Sequence, residues 1–124
     1  VRLRDWLPVG AVPEVAPAAL AALLDRNSAA EERPQLVDVR TRMEFDAGHI
    51  DGAVSAPILE LERALDGLGL DRARPVVAIC LSAHRSIPAV RLLRAHGFDD
   101  VAQLAGGMRA WRRAGLPETP SRSR

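Results

Sequence analysis

A chain of 124 residues, 48% hydrophobic and 27% charged, is long enough to bury the core of one globular domain and short for two. Its 17 basic and 16 acidic residues leave a formal charge of +1, and their scatter excludes the dominant positive field expected of a nucleic-acid binder or of a protein held on anionic lipid. A single cysteine excludes an internal disulfide framework, no segment resembles a cleavable signal or reaches the apolar length of a membrane span, and a reducing cytoplasm is the expected compartment.

Residues 1–13 mix arginines, Trp6, two prolines and Gly10 without a period, and are expected to form a flank or a packed arm. Leu20, Leu23 and Leu24 recur at helical spacing behind Pro17, which predicts a helix over 17–25. A strand is expected over 35–39 after the breaker Pro34, a short helix over 41–47 and a brief strand over 53–55. Leu61, Leu65 and Leu68 mark an amphipathic helix ending near Gly67 or Gly69. The run PVVAIC over 75–80 is continuously apolar, the pattern of a central strand covered on both faces. Ser86 is expected to cap a helix with Pro88 in its first turn, Ala89, Leu92 and Leu93 on one face and Gly97 at its stop. A strand over 101–104 follows, and Gly106 and Gly107 open a helix that places Met108 and Trp111 in the core. The main body is expected over 14–117, with a frayed tail over 118–124. Strands alternating with helices in this way predict an α/β fold with a parallel sheet and helices on both of its faces.

In such sheets ligands bind where the carboxyl ends of strands cross to the following helices, and Cys80 stands at such an end. The stretch Cys80, Leu81, Ser82, Ala83, His84, Arg85 lies between a buried strand and a helix start, so its backbone N–H groups can curl around one centre, the sulfur. Those amides, the helix terminus at Ser86 and the Arg85 guanidinium all favour an anion, which predicts a thiol pKa below that of free cysteine. An inert buried thiol is the alternative for any lone cysteine, but the strand-end position before a polar loop favours a functional one.

Four blocks carry a resemblance to the rhodanese homology family: LVDVR (36–40), EFDAGHIDGAVSAP (44–57), CLSAHRS (80–86) and LAGGMRAW (104–111). Their order and spacing resemble that family from about residue 15 to 117. The resemblance implies a rhodanese-like three-layer fold, a central five-stranded parallel sheet flanked by helices. It implies a sulfurtransferase in which Cys80 accepts sulfane sulfur from a small donor, thiosulfate, a persulfide or a polysulfide. The resulting persulfide passes sulfur to cyanide, a thiol or a protein acceptor, with no cofactor. Leu81, Ser82, Ala83, His84, Arg85 and Ser86 are then the loop that binds substrate and stabilises the persulfide. Leu81 replaces the arginine of the family's common loop pattern and Ala83 its glycine, which weakens attraction for a dianion and predicts an unusual backbone angle at Ala83.

Asp38, Arg40 and Glu44 are expected to support the loops through a structural salt bridge, with their side chains near the same rim. His84 could face either substrate or solvent, and His49 and His96 are expected to be structural; the three histidines and the cysteine lack zinc-ligand spacing, so no metal is expected. Two further readings stand beside the enzyme. One is a noncatalytic or partner-activated module for sulfur delivery or protein binding, supported by Leu81. The other is a phosphatase or arsenate reductase, disfavoured because four residues between Cys80 and Arg85 are one fewer than such fold relatives use and the loop holds no acid.

Overall fold

The computed structural model of the chain describes residues 12–25 and 29–121. Five parallel strands form one sheet in the order β1-β5-β4-β2-β3, built from β1 (Glu14–Val15), β2 (Gln35–Asp38), β3 (Val54–Ser55), β4 (Val76–Ile79) and β5 (Val101–Leu104). The crossovers carry α1 (Pro17–Leu23), α2 (Arg42–Ala47), α3 (Leu61–Ala64) and α4 (Ser86–Ala95), and α5 (Gly107–Arg113) follows β5. This is the three-layer α/β arrangement that the alternating pattern predicts.

Period-two alternation along the strands divides the core. Val76, Ala78 and Cys80 point to one face with Val37, Leu61, Ala89 and Leu93, beneath α3 and α4. Val77 and Ile79 point to the other with Leu20, Leu104, Met108 and Trp111, beneath α1 and α5. β4 is therefore buried on both sides, as its unbroken apolar run requires, and each large side chain sealed in these layers stabilises the fold by about 1.5–3 kcal/mol. Cys80 extends the β4 alternation by one step and so enters the α3/α4 layer.

Several local expectations are corrected. The expected helix through Leu61 and Leu68 is a single α turn that tightens to a 3-10 turn over Leu65–Leu68, because Gly67 interrupts it and Gly69 turns left-handed at φ 72°. Ser86 does not cap α4. It is the first helical residue, buried, and its hydroxyl donates to Gln103 Oε1 at 2.7 Å, while Arg85 occupies the cap position. β1 was not expected, since two residues are too few to show a period. Of the expected flank, residues 1–11 lie outside the described residues, but Val12 is buried and the Pro13 carbonyl accepts from the Gln103 amide at 2.9 Å.

The tail over 118–121 is docked, not frayed. Thr119 and His49 exchange backbone hydrogen bonds of 2.9 and 2.8 Å, Glu118 accepts from Arg112 at 2.7 and 2.9 Å, and Ser121 Oγ donates to Asp46 at 2.7 Å. Residues 122–124 lie outside the described residues. Trp111 explains the docking: its indole N–H is sealed in the core layer and finds its acceptor at the Pro117 carbonyl, 2.8 Å away, which draws the chain back across the sheet.

The strongest polar anchor of this scaffold is the pair Asp38 and Arg40. Both are buried, joined by Nε–Oδ1 and Nη2–Oδ2 hydrogen bonds of 3.0 and 2.8 Å, and Arg40 Nη2 also donates to the Gly48 carbonyl at 2.8 Å. Breaking such a pair leaves a buried charge without compensation. Asp38→Ala is expected to lower the free energy of unfolding by about 3–5 kcal/mol, measured by urea denaturation.

Candidate active site

Cys80 is placed by the end of β4, and the loop that follows returns its own amides to the sulfur. The Arg85 N–H donates to Cys80 Sγ at 3.2 Å. To close so small a ring, the backbone enters the left-handed region at Ala83, φ 71°, the one described non-glycine residue that does so. This is the unusual angle expected there, and a Cβ in that region costs about 1–2 kcal/mol.

The ring is clamped from outside by the start of α5. Met108 N–H donates to the Cys80 carbonyl at 2.8 Å and Arg109 N–H to the Leu81 carbonyl at 3.0 Å. Both bonds require the two backbones to touch at Gly107, where a Cβ would collide with the Cys80 carbonyl oxygen and with Leu81, and where φ is 61°. The Gly106-Gly107 pair thus serves the cysteine loop directly, a role its sequence context as a plain turn did not reveal.

Burial of Cys80 pushes its pKa up, but the backbone N–H groups of Ser82, Arg85 and His84 and the Arg85 side chain outweigh it, and the thiol ends below its ordinary value. The loop therefore favours the thiolate more than the surroundings of an ordinary cysteine do. His84 contributes its amide while its side chain is exposed. Leu81 packs against the α1/α5 core layer, so the position of the family's arginine is occupied by an apolar contact.

The expected acidic and basic supports separate into two units. Asp38 and Arg40 bond to each other and to Gly48, and those bonds do not reach the cysteine loop, contrary to the shared rim expected for them. Glu44 does reach it: Arg85 Nη1 and Nη2 donate to its two carboxylate oxygens at 2.7 and 3.1 Å. Hydrogen bonding from Arg85 lowers the Glu44 pKa to about 2, aided by Thr41, whose N–H and hydroxyl donate to Oε1 at 3.0 and 3.1 Å in a capping box at the start of α2. The same carboxylate raises the Arg85 pKa further.

One buried polar residue, Gln103, was missed by sequence reasoning. Gln103 accepts from Ser86 and donates to Glu14 Oε2 at 2.9 Å, tying the start of α4 to β5 and β1. A lone amide inside the four-residue strand VAQL was its signal. His49 and His96 are held structurally: His49 Nδ1 lies 2.8 Å from the Phe45 carbonyl with its ring stacked on Phe45, and His96 Nε2 lies 3.2 Å from Glu62. Among the described residues no cluster of three or more potential metal ligands occurs, and no helix is long and apolar enough to cross a membrane.

Gly107→Ala should destabilise the protein by about 2–4 kcal/mol, from collision plus left-handed strain, and slow alkylation of Cys80 at neutral pH; a stability change with alkylation untouched would separate the clamp from the sulfur. The rate of Cys80 alkylation should stay high to lower pH than that of a free cysteine, because the loop donors stabilise the anion over the neutral thiol. Glu44→Gln keeps an oxygen for Arg85 but removes the neutralising charge, so its alkylation profile should move to lower pH again.

Comparison with known proteins agrees with this geometry. The family model for the rhodanese-like domain matches residues 16–114. The HTH-type transcriptional regulator Rv0324 of Mycobacterium tuberculosis is 46% identical over 99 residues, covering 78% of this chain and 42% of that protein, so the chain spans less than half of it. The thiosulfate sulfurtransferase GlpE of Shewanella oneidensis is 39% identical over 80 residues, 64% of this chain and 77% of that one. Among solved structures, the polysulfide-sulfur transferase homodimer of Wolinella succinogenes superposes with a TM-score of 0.72 at 32% identity, covering 91% of this chain and 81% of that chain. Relatives of this chain thus include sulfurtransferases. The chain, with its cysteine ring at the end of the central strand, belongs to the rhodanese-like domain family.

Proposed function

We propose that the protein is a sulfurtransferase that carries sulfane sulfur on Cys80. The observation that carries this reading is the ring of backbone amides around Sγ, with the Arg85 N–H at 3.2 Å. The Cys80 thiolate attacks the outer sulfur of a donor. With thiosulfate, the sulfur–sulfur bond breaks with its electron pair on the departing sulfite, and Cys80 is left as a persulfide anion. A thiolate or cyanide then attacks the outer sulfur of that persulfide, takes it, and returns Cys80 to the thiolate. Two half-reactions through one covalent intermediate make the kinetics ping-pong, and neither needs a cofactor.

The roles of the loop follow from charge. Amides of Ser82, His84 and Arg85 hold negative charge on the bound sulfur without a proton changing place, as preorganised donors do best. Arg85 positions the loop and offers a cation already shared with Glu44; Leu81, Ala83 and Ser86 shape the ring. Small donors and a thiol, cyanide or protein thiol acceptor are its partners, and the cytoplasm is the compartment in which a lone thiol stays reduced.

A second reading, a module that delivers sulfur only when a partner completes the site, is favoured by Leu81, which packs into the core where a loop cation is commonly found. The M. tuberculosis relative, a transcriptional regulator of which the match covers 42%, is consistent with such a module working inside a larger protein.

Incubation with thiosulfate or a polysulfide should add the mass of one sulfur atom to the wild type and nothing to Cys80→Ser, read by intact mass. A wild-type protein that never gains the atom removes the sulfur-carrier reading. Sulfur that loads but resists cyanide favours the partner-dependent module.

A further inference from the structure

Beside the cysteine loop lies a groove of about 540 Å³ with Arg85 in its lining, the residue whose amide holds Sγ at 3.2 Å. Groove and sulfur ring therefore share a wall. The rest of the lining is largely apolar, from Val39, Pro57, Ile58 and Leu59. Val39 and Ile58 belong to the same core layer as Cys80, whereas Leu59 is 93% exposed. That exposure does not come from a loose turn, because Ile58 N–H donates to the Val39 carbonyl at 3.1 Å and Glu60 N–H to the Pro57 carbonyl at 2.8 Å. The backbone holds an apolar side chain out to solvent along the groove. Met43, next in the chain to the groove residue Arg42, is 84% exposed as well.

Charge in the groove is already balanced. Arg85 is bound by Glu44 at 2.7 Å and Arg42 faces Glu60 at 3.6 Å. Leu81 adds no cation, since it packs into the opposite core layer. A small dianion meets apolar wall and neutralised guanidinium here. A sulfane sulfur attached to a carbon chain meets an amide ring for its charge and an apolar trough for its chain.

We propose that the groove binds the carbon chain of an organic persulfide and presents its outer sulfur to Cys80. This rests on the sulfurtransferase reading and narrows its donor to that chemical class. In the step, the Cys80 thiolate bonds to the outer sulfur of R–S–SH, the sulfur–sulfur bond breaks, its electron pair leaves on R–S⁻, and the proton stays on the new Cys80 persulfide. No oxidant or reductant is consumed.

Alkanethiosulfonates, R–SO₂–S⁻, are the probes, since the same attack expels a stable sulfinate and leaves sulfur on Cys80. Loading rates for methane-, ethane-, propane- and butanethiosulfonate, followed by intact mass, should rise roughly threefold per added methylene. Leu59→Asn, a substitution at an exposed position, should flatten that slope. A wild-type series with no dependence on chain length, or a slope that Leu59→Asn leaves intact, overturns the groove proposal while sulfur loading itself still stands. Failure of every thiosulfonate, thiosulfate and polysulfide to add sulfur is a different result, and it removes the underlying sulfurtransferase reading together with the proposal.

Discussion

A sulfur anion at the end of a strand buried on both faces is stable only if hydrogen-bond donors surround it. In this molecule the donors are backbone amides of its own loop together with the Arg85 side chain, and that requirement sets the rest of the site. The loop has to curl tightly, so one residue turns left-handed. A curled loop exposes its carbonyls outward, so another element has to satisfy them, and the first amides of α5 do so. Those amides approach closely enough only because residue 107 has no side chain. Four features that look separate along the chain, Cys80, Ala83, Gly107 and Met108, are thus one geometric solution.

The arginine–carboxylate pairs divide the remaining labour by depth. Asp38 and Arg40 are fully buried and fix the loop around Gly48, acting as scaffold. Glu44 and Arg85 are about one-third exposed, and this pair ties the cysteine loop to the start of α2. Arg112 and Glu118 lie further out and fasten the chain after α5, a position where an ion pair adds little free energy but helps fix a direction. Buried Ser86 donates to Gln103, and Gln103 donates in turn to the half-buried Glu14 carboxylate, a line that joins the loop's helix to an edge strand of the sheet.

Most of the fold was legible because its signals are local and repeated. The unbroken apolar run of β4, the leucine spacing of α1 and the proline and glycine that frame α4 each point to one element, and each lies where expected within a residue or two. Cys80 was legible for the same reason, standing where a strand stops and a helix is about to start. What could not be read were contacts made across the sheet. Nothing local marks Glu14 and Val15 as a strand, since their partner lies in β5, and nothing local distinguishes Gly107 from an ordinary turn glycine. Ser86 was misjudged by a rule that holds for isolated helix ends, because Gln103, distant in sequence, claims its hydroxyl. Asp38 and Glu44 looked equivalent as acids near the rim, and only the direction of Arg40 and Arg85 separates them.

The clamp from α5 also bears on when reactivity arises. Met108 and Arg109 belong to the last helix among the described residues and follow Cys80 in the chain, so the cysteine loop is made before the residues that partner its carbonyls. Those bonds help hold Ala83 in its left-handed state, which costs about 1–2 kcal/mol. Before they form, the cysteine lacks the donors that lower its pKa in the folded protein. The environment that lowers the Cys80 pKa is therefore complete only once α5 has docked.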